Sequence, residues 1–97
     1  MNQRRRLDGQ VAFVTAGGGG IGRAIALGLA EAGADVAVFE IVPERAEETA
    51  ARLRELGRQA LAIPGDAMDG DAIRSAIAAT DELFGFTAAG AVFVPVE

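Results

Sequence analysis

The chain has 97 residues, enough for one small domain that buries about 60 to 65% of the surface its unfolded form would expose. It contains no Cys, His, Lys, Tyr or Trp, and its single Ser is Ser75. Ser-His-Asp and Cys-His arrangements, a Schiff-base lysine and a zinc site of the usual nitrogen and sulfur ligands are therefore excluded. Fourteen acidic residues against nine basic ones, every one of them Arg, leave a net charge of −5, the wrong sign for a general nucleic-acid binder. Carboxylates remain for acid–base work or for Mg²⁺, but no D-x-D-x-[DN]-G loop points to Ca²⁺.

Residues 1–6 read as a solvated arm, because Arg4 to Arg6 lead into Leu7-Asp8-Gly9-Gln10 rather than into the apolar stretch of a signal peptide. No apolar run approaches the ~18 to 20 residues of a membrane span. With no Cys, a cytoplasmic setting without disulfides is expected. Val11 to Thr15 is a β-branched and aromatic run bounded by glycines, as a buried parallel strand would be. From Ile21 to Ala32 the residues Ile21, Ala24, Ile25, Gly28, Leu29 and Ala32 recur at spacings of three and four. They predict a helix ended by Gly33, with Gly28 serving close helix-on-sheet packing. Val36 to Glu40 is the second strand. A second helix runs from Pro43 to Leu56, with Ala46, Ala50, Leu53 and Leu56 inward, early acids and late arginines. Ala60 to Ile63 is the third strand, and Asp69 or Asp71 caps a third helix that carries Ile73, Ala76, Ile77, Thr80 and Phe84 on one side. Gly85 ends it, and within the divergent tail 86–97 the run Ala91 to Val94 is a possible fourth strand.

This β-α-β-α-β-α order predicts an α/β fold over 1–97, a partial doubly wound parallel sheet of order 3-2-1-4. Its first two helices lie on one face and the third on the other. A face covered by one helix would stay partly open, so self-association is expected there.

The most informative stretch lies between the first strand and the first helix, Thr15-Ala16-Gly17-Gly18-Gly19-Gly20-Ile21-Gly22. Glycines at a helix N-terminus let an anion approach unpaired N–H groups and the positive end of the helix dipole. Gly17, Gly19 and Gly22 satisfy G-x-G-x-x-G, the pattern of a Rossmann-type dinucleotide site. Glu40 ends the second strand 18 residues after Gly22, where a carboxylate can accept hydrogen bonds from an adenosine ribose.

Over roughly Leu7 to Gly85 the chain resembles the N-terminal cofactor-binding half of the short-chain dehydrogenase/reductases. Leu7 to Thr15 looks like that family's opening strand, and Gly20-Ile21-Gly22-Arg23 like the end of its T-G-x-x-x-G-x-G fingerprint. The resemblance implies that Thr15, Gly20 and Gly22 belong to a phosphate loop, that Glu40 serves the ribose, and that Asp66 with the Ala67 backbone holds the adenine. Ala16 stands where the fingerprint has its first glycine; a positive φ there would cost about 1 to 2 kcal/mol. Phe86-Thr87-Ala88-Ala89-Gly90 replaces the family's Asn-Asn-Ala-Gly turn, keeping only its last two residues.

The family's general acid/base Tyr and its partner Lys are missing from the whole chain, and Ser75 lies in the third helix, away from the family's catalytic Ser. The expectation is therefore the cofactor-binding part of an oxidoreductase, without turnover by itself. A free-standing nucleotide-binding module and an S-adenosylmethionine-dependent methyltransferase fragment are the alternatives. Glu40 would repel the 2′-phosphate of NADP, so NAD is the expected cofactor. Arg23 is read as a solvated first-turn residue, and no compensating cation is apparent near Glu40.

Overall fold

The computed structural model describes residues 7–16 and 18–85, together with the backbone of 91–94. The elements are β1 (Val11–Thr15), α1 (Gly20–Glu31), β2 (Asp35–Glu40), α2 (Pro43–Glu55), β3 (Ala60–Pro64), α3 (Gly70–Phe84) and β4 (Ala91–Val94). All strand pairings are parallel and the order is β3-β2-β1-β4. The chain winds outward from β1 to β3 and then crosses back to lay β4 on the other side of β1. That reversal opens a crevice at the C-terminal ends of the strands, where open α/β sheets bind ligands.

Strand alternation divides the apolar residues between two layers. Ala12, Val14, Val36 and Val38 pack against Ala26 and Ala30 of α1 and Ala46, Ala50 and Leu53 of α2. Phe13, Ala37 and Phe39 face α3 through Ala76, with Ile73 and Ile77 beside them. Alanines dominate the first layer, so both helices can lie close to the sheet. In the second layer the rings of Phe13 and Phe39 stack 5.9 Å apart and fill more of the space.

Two expectations about packing are corrected. Helix α1 buries Gly22, Ala26 and Ala30, not the stripe that begins at Ile21. Ile21 is 73% exposed, Ala24 and Gly28 are exposed, and a Cβ at Gly28 would meet nothing within 4 Å. The helix is apolar on most of its circumference, so two phases fit a 3.6-residue period. Small residues decide between them because they permit the closer approach to β1 and β2. Nor is the second face open on the central strands, since Phe13, Ala37 and Phe39 are at most 1% exposed. Partial exposure in that layer falls instead on Leu61 and Ile63 of β3 and on Ile73, Ile77 and Phe84 of α3.

Helix α2 turns Ala46, Ala50 and Leu53 inward as expected and adds Thr49, while Leu56 is its half-exposed C-cap residue. Of the two candidate caps of α3 it is Asp69 that acts, its carboxylate accepting from the N–H groups of Asp71 and Ala72. Gly85 ends α3 in the left-handed region at φ 68°. Ala91–Val94 does form a strand, in parallel register with Val11–Val14. The arm 1–6 and the remainder of the tail, 86–90 and 95–97, lie outside the described residues.

Candidate nucleotide-binding site

The three helices among the described residues begin differently. Helix α3 has its Asp69 cap, and α2 starts on Pro43, which lacks an N–H, followed by Glu44. Helix α1 has Gly19 as its N-cap residue, no side-chain cap and no acid in its first turn. Its first helical hydrogen bond runs from Arg23 N–H to Gly19 O at 3.3 Å. The N–H groups of Gly20, Ile21 and Gly22 have no backbone acceptor among the described residues. A helix start left in this way presents its amides and its dipole to an external anion.

Glu40 lies beneath the loop that leads into this helix. The residue is 7% exposed, and its carboxylate accepts from Gly18 N–H at 3.0 Å through Oε1 and from Val42 N–H at 3.1 Å through Oε2. The acid therefore braces the loop and the entry to α2. Each oxygen keeps acceptor capacity beyond one hydrogen bond, so a ribose hydroxyl can still be served. Gly18 is required by this packing. A Cβ there would lie 2.4 Å from Glu40 Cγ and 2.7 Å from Arg45 Cβ.

Arg45 is a cation that the sequence reading missed. Pro43 starts α2 directly after β2, so the first helical turn carries Arg45 back to the loop, and its stem also lies 3.9 Å from where a Cβ on Gly19 would be. It forms no hydrogen bond or ion pair with a described residue. Arg23 also differs from its expected solvated state. Its Nε donates to Thr49 Oγ1 at 2.9 Å, and its Nη2 donates to Gly18 O at 2.7 Å and to Glu48 Oε1 at 2.6 Å. No local pattern signals this contact, because α1 and α2 are brought side by side by the sheet. The Arg23 hydrogen bond and charge hold the exposed Glu48 carboxyl below its ordinary value of 4.5. The pair is therefore fully formed at neutral pH and is lost only as pH falls through that lowered value.

Between the loop and the end of β3 lies an open cleft of about 150 Å³ lined by Ala16, Phe39, Glu40, Ile41, Gly65, Asp66 and Ala67. It brings together the acid that ends β2 and the Asp66-Ala67 pair that follows β3. A Cβ on Gly65 would lie 2.5 Å from the Phe39 ring, so the wall of the cleft is close-packed there. Asp66 is exposed and its Oδ1 accepts from Met68 N–H at 2.9 Å, a local turn contact that sets the chain on its path toward α3. Thr15 is buried at the end of β1, while Gly17 lies outside the described residues.

Ala16 adopts φ 55°, the left-handed conformation that glycine takes without strain. Ala16→Gly is expected to stabilise the chain by about 1 kcal/mol. Thermal unfolding should show a midpoint higher by about 4 to 8 °C.

The sequence pattern of the short chain dehydrogenases matches residues 10–87. Versicolorin reductase 1 of Aspergillus parasiticus is 41% identical over 87 residues, which are 89% of this chain and 33% of that protein. Among solved structures, a short chain dehydrogenase from Burkholderia cenocepacia J2315 in complex with NADP is 47% identical with a TM-score of 0.78, covering 82% of this chain and 33% of that one. An NAD⁺-bound xylitol dehydrogenase is 34% identical with a TM-score of 0.79, covering 82% and 31%. The chain thus spans about a third of the length of these relatives. The match sets the methyltransferase reading aside: this chain belongs to the short-chain dehydrogenase/reductase family, and its parallel α/β sheet is the N-terminal part of that family's Rossmann-type fold.

Proposed function

We propose that the chain binds NAD(H) as the cofactor-binding part of an oxidoreductase. The uncapped start of α1, directly above the Glu40 carboxylate, is the observation that carries this reading. In it, the amides of Gly19 to Gly22 take the pyrophosphate, Glu40 takes the adenosine ribose, and the Ile41, Asp66 and Ala67 side of the cleft takes the adenine. The bound dinucleotide supplies hydride chemistry, and these residues supply its affinity and orientation.

NAD is preferred over NADP because a 2′-phosphate would meet the fixed Glu40 carboxylate at close range, and no basic residue stands at Gly19 or Ile41. Arg45 opposes that repulsion and limits the preference. Calorimetric titration is expected to give tighter binding of NAD⁺ than of NADP⁺, with Arg45→Ala widening the difference. Equal or tighter binding of NADP⁺ would contradict this preference.

Self-association is proposed through the half-buried apolar layer formed by α3 and β3. Sedimentation velocity should show a weight-average mass that rises with concentration, whereas a monomer at every concentration would exclude it.

A further inference from the structure

The peptide between Gly18 and Gly19 is gripped from one side by an arginine that reaches across two helices. We propose that Arg23 is a positioning residue that sets the plane of this peptide and so decides which loop amides face a bound phosphate. The inference rests on the reading of the loop as a pyrophosphate site.

Both polar groups of Gly18 are committed. Its N–H donates to Glu40 and its C=O accepts from Arg23 Nη2 at 2.7 Å. A trans peptide is planar, with C=O and the following N–H pointing in opposite directions. Fixing Gly18 O toward Arg23 therefore turns Gly19 N–H away from the Arg23 guanidinium, and among the described residues that N–H has no backbone partner. Without a side chain at Gly18 or Gly19, nothing local holds this plane, and glycine has the widest backbone freedom to lose. The restraint has to come from elsewhere.

Arg23 can supply it because its guanidinium is itself held. Thr49 Oγ1, on a fully buried residue of α2, accepts from Nε at 2.9 Å, and Glu48 shares Nη2 with Gly18 O. The Arg23 side chain is 19% exposed. A planar fork can reach three acceptors set in different directions, whereas an ammonium group at the end of a flexible stem cannot reproduce that fixed arrangement. An exposed helix-to-helix ion pair would be worth little by itself. What separates this contact from such a pair is its third acceptor, a loop carbonyl.

The experiment uses the 97-residue chain and its Arg23→Gln, Arg23→Lys and Glu48→Gln variants. Amide hydrogen exchange without ligand is expected to rise about tenfold at Gly18, whose N–H is held by Glu40, and at residue 23, whose N–H is held by Gly19 O, in Arg23→Gln, with the amides of β1 and β2 unchanged. Glu48→Gln, on the surface, should give a smaller rise at the same amides, and Arg23→Lys an intermediate one. Titration with ADP-ribose should weaken about tenfold in Arg23→Gln while adenosine, which has no phosphate, binds as before. Unchanged exchange at Gly18 and residue 23, or a rise spread equally over β1 and β2, would overturn the proposal, as would equal weakening of ADP-ribose and adenosine. If the unsubstituted chain takes up no ADP-ribose, the pyrophosphate reading fails. The exchange measurement then still decides whether Arg23 holds the loop.

Discussion

Gly18→Ala is expected to abolish measurable dinucleotide binding and to lower the thermal midpoint by about 10 °C or more. The added methyl would sit 2.4 Å from Glu40 Cγ and 2.7 Å from both Glu40 Cδ and Arg45 Cβ. None of these is the loose end of a side chain, because the Glu40 carboxylate is tied to two backbone N–H groups and Arg45 Cβ moves only with α2. Relief requires either the loop or the acid to leave its place. Overpacking typically costs about 1 to 3 kcal/mol, and losing the Gly18–Glu40 hydrogen bond adds about 1.5 to 3. A loss of about 3 kcal/mol in binding is a hundredfold or greater rise in Kd. Calorimetry with NADH and a melting curve would measure both effects, and Gly28→Ala is the matched control. A Cβ at Gly28 meets nothing within 4 Å, so that change should leave binding intact and not lower stability.

Glu40→Ala should destabilise the chain by about 2 to 3 kcal/mol, since it leaves the buried Gly18 N–H without its acceptor and frees the entry to α2. Urea unfolding is expected to show the loss as a lower midpoint with an unchanged slope. The same variant should narrow the difference between NAD⁺ and NADP⁺, because the repelling carboxylate is gone while Arg45 remains beside the loop. An effect on stability with the cofactor preference intact would confine Glu40 to bracing the loop.

What the sequence made legible is what short-range chemistry decides. Val11–Thr15 and Val36–Glu40 stand out as β-branched and aromatic runs, and Pro43, Asp69 and Gly85 punctuate helices for reasons internal to the backbone. The loop and Glu40 are found together because the β-α-β unit fixes their spacing. Phase and partnership were less legible. Helix α1 offers two apolar stripes, and only the close approach to β1 and β2 selects Gly22, Ala26 and Ala30 over Ile21 and Gly28. Arg23 gives no local sign of its acceptors, because Glu48 and Thr49 are 25 and 26 residues away and meet it only when α1 and α2 share a face of the sheet. Arg45 was closer to reach, since a helix that starts on Pro43 brings its first turn back toward Glu40. Ala16 was recognised by position alone, and its φ of 55° supplies the physical content.

The most direct measurement is a titration of the ¹⁵N-labelled chain with NADH, followed amide by amide. Shifts are expected at Gly18 to Gly22, at Ile41 and at Asp66 and Ala67, with the largest at the start of α1, while the outward amides of α3 stay in place. Shifts centred on α3, or none at NADH concentrations that saturate other members of the family, would contradict a dinucleotide held by the glycine loop above Glu40.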